Sequence, residues 1–209
     1  MTVAQRPDPF LIADNPALDF LNSICAPWGE DIEWIENGDD LVEWLIHAEL
    51  IEKQERDQIY AKLSREQLDE AAERARNMRE WFRSFVTTHA GKPVNKNALK
   101  ELKPLNDLLS GDHLYRQIGI IEDEELGTKF HWHELRRWHK SDDLLSAIAA
   151  EMGKFVCSAD FTLVKNCEGP TCTLWFLDIS KNHKRRWCSM SVCGNRAKAA
   201  AHRAKKKAH

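Results

Sequence analysis

No stretch of this chain approaches the ~18 consecutive apolar residues of a membrane-crossing helix, so no membrane span is expected. The opening MTVAQRPDPF lacks the basic segment and apolar run of a secretory leader. The expected compartment is therefore the cytoplasm, where thiols stay reduced and paired cysteines serve metals rather than disulfides. There is no internal repeat, and no low-complexity tract apart from the Ala/Lys-rich end. No nucleophile–base pair or open metal site is visible, which argues against an enzyme. The most telling absence is of acid: no Asp or Glu follows Asp178.

What is present divides unevenly. The 209 residues are 43% hydrophobic and 30% charged, a globular composition that suits one medium domain and one small one. Eight Trp point to an aromatic-rich core. The net charge of −3 hides a split: residues 1–180 carry 33 acidic against 20 basic side chains, and residues 181–209 carry ten basic and none acidic. An acidic body with a cationic end is suited to a polyanionic partner. A solvated basic tail that screens the body is the plainer alternative.

Four of the six cysteines are spaced Cys167-x4-Cys172, then fifteen residues, then Cys188-x4-Cys193. Two close pairs on either side of a hairpin-length segment meet the needs of one tetrahedral, structural Zn2+. Four thiolates close the coordination shell, so a catalytic zinc is not expected. His183 is a weaker alternative ligand. Cys25 and Cys157 have no partner spacing and read as small buried apolar residues. Between the pairs, Leu174–Leu177 and the segment ending at Trp187 read as two strands joined by a turn at 180–183. Ser189 or Ser191 then caps a final helix with Cys193 in its first turn, and Gly194 permits a close backbone approach to the metal site. Knuckle, hairpin and helix make a treble-clef-like arrangement. On the helix, Ala197, Ala200, Ala201, Ala204 and Ala208 form one side, suited to packing on the hairpin or a partner.

Upstream the pattern is mainly helical. Asn15-Pro16 gives an N-cap and a first-turn proline, with Leu18, Leu21 and Ile24 on one face. A second helix starts near Asp39 or Asp40. A long one runs from Ser64 to about Thr88, opened by a Ser64/Gln67 capping box and stopped by Gly91-Lys92-Pro93. Residues 97–109 read as a helix broken or kinked at Pro104. Residues 113–121 and 128–135 read as two strands joined by an acidic turn, a β-hairpin. A last helix covers 142–158 with Ser141 as N-cap, and 161–164 is a short strand. The fold class is thus mainly α with a small β-hairpin, plus a four-cysteine zinc finger. The expected division is 1–158 and 159–209.

These residues also carry a resemblance. CEGPTC followed by LWFLDISKNHKRRWCSMSVCGNRAKAAAHRAKK resembles the CGNR zinc finger, its signature standing here as Cys193-Gly194-Asn195-Arg196. Residues 18–23, LDFLNS, together with Asp40-Leu41 through Trp44-Leu45 and Met78-Arg79-Glu80, resemble the ABATE domain. The resemblance implies a stress-responsive regulatory domain joined to a DNA-binding finger.

Arg185, Arg186, Arg196, Lys198, Arg203, Lys205, Lys206 and Lys207 are the candidate contacts to nucleic acid. Arg196 is expected either to reach a base edge or to pack back on the zinc thiolates. Asp19, Asn22 and Arg79 are polar residues within apolar helical faces. They form either a register-fixing network or a pocket for a small polar ligand. His131 and His133 share a strand face, a metal pair being the weaker reading. The expected function is a transcription regulator binding DNA through the finger. The alternatives are a zinc-stapled protein adaptor and an RNA-binding protein, for which Trp175, Phe176 and Trp187 offer stacking surfaces.

Overall fold

The computed structural model describes residues 6–123 and 127–207. Helix α1 (Pro16–Leu21) starts at Asn15, whose side chain accepts the Ala17 amide at 2.9 Å. It is shorter than its apolar spacing suggests, because Asn22 caps it and Ile24 has already joined a strand. That strand, β1 (Ile24–Cys25), pairs antiparallel with β2 (Ile32–Glu33). Helix α2 (Gly38–His47) is capped by Asn37, which accepts the Asp40 amide. Helix α3 (Glu55–Lys62) has no counterpart in the sequence reading; Ile59 is its one buried apolar residue, too few to give a period.

Helix α4 (Arg65–His89) is the spine. Its capping box forms as expected: Ser64 Oγ accepts the Gln67 amide, and Gln67 Oε1 accepts the Ser64 amide. Leu68, Ala71, Ala75, Met78, Phe82 and Phe85 make the buried stripe. A 3-10 turn (Lys96–Lys100) precedes α5 (Lys103–Ser110). Pro104 does not kink a helix there. It lies in the first turn of α5, where a missing amide costs nothing. Strands β3 (Leu114–Asp123) and β4 (Gly127–Arg136) form the expected antiparallel hairpin. Helix α6 (Asp142–Ser158) follows. Ser141 makes no capping bond there; the fully buried Asp143 carboxylate instead takes the His139 and Lys140 amides and His113 Nδ1. Helix α1 lies against both α4 and α6, α2 against α4, and α5 against α6.

The finger departs from its expected strands. Residues 161–163 are a 3-10 turn, and β5 (Val164–Asn166) pairs with β6 (Trp175–Leu177). The hairpin thus encloses the first cysteine pair instead of lying between the two pairs. The segment ending at Trp187 is not a strand. Asp178 holds that loop in an irregular shape, as described below. A wide turn (Met190–Gly194), closed by the Gly194 amide on Ser189 O, leads into α7 (Asn195–Lys207). Past Ala197 the described side chains of α7 are exposed, so Ala200, Ala201 and Ala204 do not pack on the hairpin. Ala208 lies outside the described residues, and Lys207 is described only as helical backbone. Cys25 is buried as expected, but Cys157 is exposed on α6. Among the described residues no helix is long and apolar enough to cross a membrane.

Candidate metal centre and nucleic-acid interface

The four cysteines converge. Their sulfurs all lie within 4.8 Å of one another, and all four residues are buried. Zinc–thiolate bonds of about 2.3 Å in a tetrahedron require sulfur–sulfur edges of about 3.8 Å. The Cys172–Cys188 and Cys188–Cys193 pairs are both at 3.7 Å, so geometry and ligand type fit Zn2+. His183 takes no part, its Nδ1 facing Asp178 O at 3.0 Å.

The protein's own atoms favour one thiolate in the cluster. Hydrogen bonds from the Cys172 and Cys188 thiols, helped by the Cys188 and Gly169 amides, pull the Cys167 sulfur far below an ordinary thiol. The same contacts and burial push the Cys172 and Cys188 thiols up. A divalent cation must therefore supply the charge that holds the others as thiolates. The Cys188 amide donates to Cys167 Sγ at 3.3 Å. The close glycine is Gly169, not Gly194. A Cβ on Gly169 would stand 3.1 Å from Cys172 Cβ and 3.3 Å from Cys193 Sγ. On Gly194 it would strike the Met190 thioether at 2.8 Å instead.

Asp178, which the sequence reading gave no role, organises the second half of the finger. It is fully buried. Its carboxylate takes Lys165 Nζ at 2.6 Å, the Arg185 amide at 2.9 Å, and both the amide and hydroxyl of Ser180. Burial pushes this carboxyl up, but the Lys165 ammonium and the Ser180 and Arg185 donors outweigh it and hold it at about 2. This loop sets the path of residues 178–187 and so delivers Cys188 to the metal.

The finger is fastened to the helical body by several separate contacts. Asn22 accepts the Trp175 amide and donates to the Trp175 carbonyl, both at 2.8 Å, imitating a neighbouring strand. The Leu177 amide donates to Ala13 O at 2.9 Å, and the Ala26 amide to Thr173 Oγ1 at 2.9 Å. Asp19 accepts the Ala13 amide, holding the segment that meets β6. Burial pushes the Asp19 carboxyl up to about 6 against the pull of the Ala13 and Ile12 amides. Arg79 is engaged elsewhere, in a buried double contact with Glu33 and a bond to Ser23 Oγ at 2.8 Å. Among the described residues no hydrogen bond joins Asp19, Asn22 and Arg79 to one another. Each serves a separate structural link.

The candidate cations also separate. Arg185 turns inward. It donates to Ile12 O, Trp187 O and Cys188 O, pairs with Asp14, and covers the Phe176 ring at 4.3 Å. Arg196 also turns inward, donating to Pro27 O and, at 3.1 Å, to Cys193 Sγ. Of its two expected roles, the geometry supplies the packing one. A zinc with four thiolates carries a net charge of about −2, which a guanidinium on one sulfur offsets. Arg196→Ala should therefore weaken zinc binding about 10–100-fold, the usual effect of losing a group that supports a ligand. Competition with a chromophoric chelator measures it. Unchanged zinc affinity would return Arg196 to the base-reading role. Arg186 is exposed and pairs with Glu168. Lys198, Arg203, Lys205 and Lys206 stand exposed along α7. His131 and His133 lie edge to face, with the His133 ring over Gly119. They do not join a group of three or more metal-ligating side chains among the described residues.

A helical body with a four-cysteine, treble-clef-like finger docked on it defines a zinc-finger protein with one structural zinc. Residues 164–206 match the CGNR zinc finger. Residues 14–159 match the ABATE domain, described as "Putative stress-induced transcription regulator", and the chain belongs to this family. A comparison with curated proteins finds no match.

Proposed function

We propose that the chain is a transcription regulator that binds duplex DNA through the exposed cationic side of α7. The observation that carries this reading is the charge left uncompensated on the finger. The two acidic residues of 164–206 are both committed inside it: Asp178 is buried on Lys165, and Glu168 is paired with Arg186. Lys198, Arg203, Lys205 and Lys206 span about 160° of a helix whose described side chains past Ala197 are all exposed. Such a helix suits a phosphate backbone flanking a groove. Arg185 and Arg196 are excluded from the contact set by their inward bonds. Small-ligand sensing at Asp19, Asn22 and Arg79 is left out of the reading, because these side chains already bond within the protein.

The test is a salt titration of binding to duplex DNA, single-stranded DNA and RNA of equal length. With four or five phosphate contacts, log K on duplex DNA should fall against log salt with a slope of about −4. Tighter binding to RNA would shift the assignment to RNA. Absence of binding to every nucleic acid at low salt would leave the adaptor role.

A further inference from the structure

The β3–β4 hairpin carries an apolar face that the finger does not use. Strand alternation and register put Ile118 opposite Trp132 and Ile120 opposite Phe130 on one side of the ribbon. Their exposures are 69%, 59%, 61% and 84%. The next rungs on that side are charged or polar: Arg116 with Glu134 toward the body, and Glu122 with Thr128 toward the tip. These residues are all exposed too. The face therefore reads polar, apolar, apolar, polar.

We propose that this face is a self-association surface, and that its partner is the same hairpin of a second copy of this chain. Three observations single out a second copy. First, an isolated two-stranded ribbon is marginal in water, and this one spans ten residues per strand with its outer part exposed on both faces. Second, the four apolar side chains lie side by side and mostly exposed, a contiguous apolar face of the kind that marks an interaction site rather than singly scattered surface residues. The flanking charged rungs extend it toward the ~800 Å2 per partner of a standard interface.

Third, the face is complementary to itself. A two-fold axis placed between two such faces, across the strands and through the middle of the apolar patch, reverses the order of rungs. Ile118 then meets Ile120 of the second copy, Trp132 meets Phe130, and Arg116 meets Glu122. The axis occurs once, so each of these contacts forms twice. The same operation sets the two bodies at opposite ends of the paired hairpins. That separation matters, since residues 1–180 of each copy carry 33 acidic against 20 basic side chains. A two-fold along the strands would bring the bodies together and set that charge against itself.

Sedimentation equilibrium of the zinc-loaded full chain at ~10–100 µM, a range that detects micromolar association, should give twice the chain mass of 24.2 kDa. Trp132→Lys should weaken the dimer at least tenfold while zinc content, and the melting midpoint measured at dilutions where both proteins are monomeric, stay unchanged. Arg116→Glu should weaken it about threefold or more, because it sets like charges together at two symmetric positions. Adding Glu122→Arg to that variant should restore the association. This reversal leaves the apolar rungs intact and so tests the arrangement even if Trp132→Lys disturbs the hairpin. A wild-type chain that stays monomeric across the range would overturn the proposal and mark the face for a different protein. A dimer indifferent to Trp132→Lys, or a double reversal that fails to restore association, would also overturn it.

Discussion

Cys167→Ser should cost the chain its zinc and, with it, the finger. Structural zinc with thiolate ligands contributes about 10–16 kcal/mol of apparent binding free energy in isolated fingers, more than the stability of most domains. Losing one thiolate removes a large part of that. The loss should not stay local. Cys167, Cys172, Cys188 and Cys193 belong to one continuous core with Phe20, Leu21 and Phe155 of the helical body. Asn22, Ala13 and Ala26 all bond to β6 or to the segment before it. Metal analysis should find about one zinc per wild-type chain and well under one in the variant. Hydrogen exchange should rise across 164–194 and also at the Ala26 and Trp175 amides. Protection retained at those two amides in a zinc-free variant would show that the seam stands without the metal.

Asp178→Ala carries the second large effect, although Asp178 touches no cysteine. The substitution strips a buried carboxylate from Lys165 and leaves the Arg185 and Ser180 amides without their acceptor. Breaking a buried pair on one side costs about 3–5 kcal/mol. Lys165 remains partly open to water, which places the expected value near 3 kcal/mol. Because Asp178 shapes the loop that delivers Cys188, much of this should appear as weaker zinc binding, on the order of a hundredfold. Asp178→Asn keeps an acceptor and loses the charge, so its effect should be the smaller of the two. Thermal melting with and without excess zinc separates the contributions. Equal zinc affinity in Asp178→Ala and wild type would confine the residue to local stability.

The parts legible in the sequence are those in which neighbouring residues determine the outcome. Zinc geometry follows from ligand type and spacing, so the cysteine quartet stood out. Ser64 and Gln67 of the capping box are three residues apart, and the β3–β4 hairpin is two neighbouring segments around one acidic turn. What escaped depends on distant parts of the chain. Asn22 imitates a strand for Trp175, 153 positions away, so its place within an apolar helix looked like a polar cluster awaiting a partner. Apolar content near Trp187 suggests a second strand there, yet β6 pairs backward with β5. Asp178 then holds the later segment in a loop. Counting charges located the cationic end but not the direction of each side chain. Arg185 and Arg196 carry as much charge as Lys198, and both point into the protein. Gly194 directly follows a ligand cysteine and so looks like the close glycine, whereas Gly169 is the one that packs on the sulfurs. Its importance follows from the distance to Cys193, which no spacing reveals.

The most direct test of the account compares two proteins on one short DNA duplex at about 50 mM salt, where phosphate contacts are strongest. One is the zinc-loaded wild type. The other carries Lys198, Arg203, Lys205 and Lys206 replaced by Gln, on a face that supports neither the metal nor the core. The account predicts that wild type binds and that the variant, with zinc content and melting midpoint unchanged, loses about a hundredfold or more in affinity. A wild type that fails to bind, or a variant that binds as tightly as wild type, would contradict it.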